Sequence, residues 1–80
     1  MDDIQIRSGI TQTFRDTFGD PNLVITDAMT AADVEGWDSL THIHLIVALE
    51  KGFRIKFTTS EVSKLRNVGD LVSLIQKKTS

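Results

Sequence analysis

Residues 38–53 read DSLTHIHLIVALEKGF, and the period of their apolar side chains decides the fold. Alternation at every second residue, the mark of a half-buried strand, is absent. On a helical wheel, Leu45, Ile46, Leu49 and Phe53 fall within an arc of roughly 100°, the stripe of a core-facing helix. Asp38 suits the N-cap, where its carboxylate accepts backbone N–H bonds at the positive end of the helix dipole. Gly52, just past Lys51, supplies a stop. Leu40, Ile43 and Val47 fall on a different, nearly opposite face. A small surface helix needs one apolar face. The second is covered either by a partner or by Val34 or Met29 from the segment before it.

Upstream, IQIRSGITQTFRDTFG (residues 4–19) spaces Ile6, Ile10, Phe14 and Phe18 four apart, which predicts a first helix. Gly19 and Pro21 end it. Gly9 lies inside and works against it. Between Asp20 and Asp38 no period is sustained, and Leu23, Val24, Ile25, Met29 and Val34 are scattered. A structureless connection of that length is unusual unless it is functional. It is expected to pack over the core with one helical turn. Downstream, TTSEV (residues 58–62) offers Thr59 or Ser60 as the cap of a brief helix ending near Asn67. Val68, Leu71, Val72 and Ile75 then repeat at helical spacing, with Lys77 and Lys78 in the last turn. The expectation is an all-α fold: a single domain, residues 1–80, forming a small four-helix bundle. Three helices are longer, the third is short, and a long loop joins the first two.

An 80-residue chain supports one modest core and little room for a deep cleft. There is no cysteine, so disulfides and thiolate metal sites are excluded, and any thiol must be imported. The N-terminal MDDIQIRSGI is acidic and lacks the apolar stretch of a secretory signal. No apolar run approaches the roughly 18 residues of a membrane span. The expected compartment is the cytoplasm, with no membrane partner. A net charge of −2 argues against nucleic acid. Charge is uneven: residues 1–38 hold eight acids and two bases, and residues 39–80 hold three acids and seven bases. Such asymmetry marks either a partner surface or an unevenly solvated protein.

Ser39 is the residue with a chemical question attached. A hydrolase triad needs serine, histidine and an acid in convergent positions. His42 is near along the helix but turned toward the core side, no acid is placed to orient it, and no strand precedes Ser39 to build a nucleophile elbow. His42 and His44 do not share a face, so a metal site on them is disfavoured. As the first helical residue, with Asp38 already capping, Ser39 presents an exposed hydroxyl that another enzyme could act on.

The stretch GWDSLTHIHLIVALEKGF (residues 36–53) resembles the signature of acyl carrier proteins, small helical bundles that bear phosphopantetheine. Asp38, Ser39, Leu40, Ile43, Leu45, Leu49, Glu50 and Phe53 carry the likeness, which extends over essentially the whole chain. The resemblance implies a non-catalytic carrier. Ser39 would receive 4′-phosphopantetheine from coenzyme A through a phosphopantetheinyl transferase using Mg²⁺, and the arm's thiol would hold acyl groups as thioesters. Tethering would present them at high effective concentration to acyl-loading, ketosynthase or other acyl-transfer enzymes. By the same resemblance Asp38, Leu40, Ile43 and Val47 contact those partners. The family's recognition helix is usually rich in acids. Here Glu50 stands among Lys51, Arg54 and Lys56, which points to a dedicated carrier in a polyketide or other specialised pathway. The expected carrier is monomeric. A peptidyl or aminoacyl carrier is the alternative within the class. An unmodified helical interaction module is the alternative outside it.

Overall fold

The computed structural model describes residues 2–79 and contains four helices: α1 (Asp3–Phe18), α2 (Ser39–Phe53), α3 (Thr59–Ser63) and α4 (Val68–Thr79). The all-α bundle expected from periodicity is the fold found. The stripe Ile6, Ile10 and Phe14 of α1 is fully buried, and Phe18 follows half-buried. It meets Leu45 and Leu49 of α2 and Val68, Leu71, Val72 and Ile75 of α4 in one cluster. Helix α1 is therefore the central element, packed against both α2 and α4. Among the described residues no helix is long and apolar enough to cross a membrane.

The ends of α1 follow the chain's local chemistry. Asp2 caps its start in a reciprocal box with Gln5, and Gly19 ends it in the left-handed conformation. Gly9, which weakens the helix on propensity alone, has a packing reason. A Cβ there would come within 2.7 Å of the Phe53 ring tip, so the bare backbone lets the end of α2 close onto α1.

Two ends differ from expectation. Helix α2 does not stop at Gly52 but runs through it to Phe53, and Arg54 takes the left-handed turn (φ 57°). The reason lies in Glu50. Its carbonyl accepts the N–H groups of Arg54 and Ile55, and its carboxylate accepts the Phe57 N–H at 2.8 Å. These bonds hold the turn at a residue for which it costs about 1 kcal/mol. Helix α3 is capped by Thr58, not Thr59 or Ser60, in a box with Glu61, and ends at Ser63 rather than near Asn67.

The long connection contains turns but no helical turn. It is ordered from outside. Met29 and Asp27 offer their carbonyls to the N–H groups of Val68 and Gly69, at 3.0 and 2.9 Å, satisfying the free donors that open α4. Arg7 on α1 forks between Asp3 and Asp27. Leu23, Ile25 and Met29 pack against the core, and Val34 is buried.

Leu49 is fully enclosed at the α1–α2 contact. Leu49→Ala is expected to cost about 2–5 kcal/mol. That is a large share of the total for a domain of this size. Urea unfolding followed by circular dichroism would measure it, and a loss below about 1 kcal/mol would place Leu49 outside the core.

Candidate functional site

Trp37 positions the start of α2. Its indole meets Phe14 edge-on (centroids 5.2 Å, 90°) and lies against Phe18 at 6.2 Å, so the residue before the cap is tied to α1. On its other side it stacks on His42 (6.1 Å, 22°), and its Nε1–H donates to His42 Nδ1 at 3.1 Å. The turn leading in is closed by the Trp37 N–H on the Val34 carbonyl. Asp38 follows in extended conformation, and its carboxylate accepts the Thr41 N–H at 2.9 Å, as the sequence led us to expect. That bond holds the Asp38 carboxyl below its ordinary range, so it stays ionised near neutral pH.

Ser39 is exposed at the first position of α2, and no described residue hydrogen-bonds its hydroxyl. It borders an open, mainly apolar groove of about 570 Å³ between the start of α2 and the α3–α4 connector. Trp37, Asp38, His42 and Ile43 line it from one side, and Leu65 and Arg66 from the other. No carboxylate is bonded to His42, and no cluster able to hold a metal occurs among the described residues. His42 faces Trp37 instead, and burial lowers its pKa below the ordinary 6.5.

The second apolar face of α2 is open. Leu40, Ile43 and Val47 are 63%, 58% and 43% exposed, and neither Val34 nor Met29 covers them. Lys51 and Arg54 are exposed beyond Val47, about 18–22 Å along the helix axis from Ser39. Glu50 is half-buried, its carboxylate accepting the Phe57 N–H, and it lines a shallow groove together with Val47, Lys51 and Arg54. Leu65 and Arg66 border the Ser39 groove but escaped the sequence reading. They lie more than 25 residues downstream, and no local pattern links them to it.

The Phosphopantetheine attachment site family matches residues 8–75, a span that includes every residue of the site described above. The chain belongs to this family of acyl carriers. It is 33% identical over 78 residues to an acyl carrier protein of Akkermansia muciniphila, an alignment covering 96% of each chain. It is 36% identical over 61 residues to one from Thermosynechococcus vestitus, covering 76% of this chain and 74% of that protein. Among solved structures, a holo acyl carrier protein from Geobacter metallireducens superposes with a TM-score of 0.85 at 46% identity, over 90% of this chain and 83% of that one. The carrier is thus a non-catalytic protein whose cofactor is covalent 4′-phosphopantetheine. Its partners include a phosphopantetheinyl transferase and acyl-transfer enzymes. An exposed, unbonded serine hydroxyl beside an open groove fits such a group, because attachment would break no internal contact.

Because the folded state lowers the His42 pKa, the unfolded chain takes up that proton first as pH falls. The His42 contribution to stability is therefore complete above pH 6.5 and declines as pH drops from there to its folded-state value. Imidazole proton NMR should place the His42 midpoint below 6.5, and the melting temperature of wild type should fall in that window more than that of His42→Gln. A midpoint at or above 6.5 would contradict the burial argument.

Proposed function

We propose that the chain is one carrier domain, residues 1–80, that bears its 4′-phosphopantetheine on Ser39 and presents acyl intermediates to biosynthetic enzymes in the cytoplasm as a monomer. The observation that carries this is the free Ser39 hydroxyl, displayed at the first turn of α2 beside the groove. In loading, the Ser39 oxygen attacks the coenzyme A pyrophosphate at the phosphorus bound to pantetheine. A phosphodiester forms, adenosine 3′,5′-bisphosphate leaves, and the serine proton passes to a base of the transferase. Once attached, the arm supplies the thiol that this cysteine-free chain lacks, and acyl groups ride on it as thioesters. Asp38 keeps the helix start rigid by capping it, so the modified oxygen has a fixed place on the surface.

The open face formed by Leu40, Ile43 and Val47 is where partner enzymes dock, and Lys51, Arg54 and Glu50 belong to its far end. Support comes from exposure and charge. Lys51, Arg54 and Lys56 are all exposed, none has an ion-pair partner among the described residues, and they share a shallow groove with Val47. A basic docking end favours partners with acidic surfaces and slows encounter with enzymes built for an acidic carrier. The carrier therefore serves a dedicated polyketide or related specialised pathway rather than bulk fatty acid synthesis.

Incubation with coenzyme A, Mg²⁺ and a broad-specificity transferase should raise the intact mass by one phosphopantetheine, and Ser39→Ala should abolish the gain. No gain with several transferases would instead favour an unmodified interaction module. Ile43→Glu and Val47→Glu should leave the melting curve nearly unchanged yet lower turnover by the cognate partners. Unfolding of either variant would assign that face to the core. A housekeeping fatty acid synthase set should elongate the holo-carrier slowly, and rates equal to those of its own carrier would remove the case for a dedicated pathway.

A further inference from the structure

The groove beside Ser39 contains charges that the attachment reaction itself does not use. Asp38 places a carboxylate there. A phosphodiester formed on the neighbouring Ser39 adds a second negative charge, which a cation in the groove would attract. Arg66 is the cation that lines the groove. Its backbone is held by the Asp70 carboxylate, which accepts the Arg66 N–H at 3.1 Å. Its guanidinium is unengaged, whereas Arg7 is held by Asp3 and Asp27, and Arg15 donates to the Leu23 carbonyl. His42 supplies a second donor. Because Trp37 Nε1–H occupies Nδ1, the neutral imidazole carries its proton on Nε2, which no described residue accepts. Ile43 and Leu65 also line the groove, apolar surface suited to the methyl-bearing pantoyl segment that follows the phosphate.

We infer that Arg66, assisted by His42 Nε2–H, binds the phosphodiester of the arm and lays its first segment along this groove against the α3–α4 connector. The inference rests on Ser39 being the attachment point. Arg66 is in this sense a positioning residue. It pairs with the phosphate as a planar, permanently charged donor and so limits the directions in which the rest of the arm leaves the surface.

The test uses the isotope-labelled full chain, loaded from coenzyme A and checked by intact mass. Amide, arginine side-chain and phosphorus NMR spectra of apo and holo forms are compared for wild type, Arg66→Gln and Arg66→Lys. Loading should shift the Leu65 and Arg66 signals as well as those of residues 38–42. Arg66→Gln should load to the same mass and melt like wild type, lose the Leu65 and residue-66 shifts, and move the phosphorus resonance. Arg66→Lys should restore part of the shift. Complete loading at Ser39 with changes confined to residues 38–42, or a phosphorus resonance unmoved by Arg66→Gln, overturns the inference while leaving the carrier function intact. Failure to load, or loading that survives Ser39→Ala, overturns the attachment point and this inference together.

Discussion

The site depends on how Trp37 is held. A loop of nearly twenty residues leads to Ser39, and such a loop has no hydrogen-bond ladder of its own to fix its end. Trp37 replaces that ladder with packing. Its ring is wedged between Phe14 and Phe18 of α1 and His42 of α2, and its N–H finds an acceptor in the same contact. A partly buried indole packed on three rings, with its N–H satisfied, is a rigid, low-entropy anchor. The helix start that follows can then point an unencumbered serine outward without drifting relative to the core.

The rest of the loop is secured by the other helices. Its carbonyls at Asp27 and Met29 meet the N–H groups that open α4, and Arg7 ties Asp27 to α1. Gly69 permits this approach, since a Cβ there would lie 3.2 Å from the Asp27 carbonyl oxygen. The ion pairs form within each half of the chain and leave the uneven charge in place. Asp3 and Asp27, both from the acidic half, neutralise Arg7, and Glu61 pairs with Lys78. The bases near the end of α2 form no ion pair among the described residues, the nearby Glu50 carboxylate being bonded to the Phe57 N–H, and their side chains face solvent. Surface charge of this kind does little for stability and much for the choice of partner.

Where local pattern governs, the sequence was legible. The stripes of α1, α2 and α4 are buried as their spacing requires, and Asp38 caps α2. Where a tertiary contact competes with a local preference, legibility fails. Gly52 looks like a stop, yet three hydrogen bonds accepted by Glu50 move the turn to Arg54. Gly9 looks like a flaw until Phe53 is seen to need the space. Thr58, Thr59 and Ser60 are all competent caps, and the register of Glu61 selects Thr58.

The sequence by itself determined the helical class, the core stripes and an uncommitted serine at the head of α2, because each is written in spacing within one segment, and its motif carried the likeness to carriers. Only the tertiary structure decided that Leu40, Ile43 and Val47 stay uncovered, that the Glu50 carboxylate braces a connector, and that Leu65 and Arg66 border the groove beside Ser39. Those facts depend on which distant segments meet. The meeting is set by packing around α1 and by the loop's bonds to α4, neither of which leaves a periodic mark in the chain.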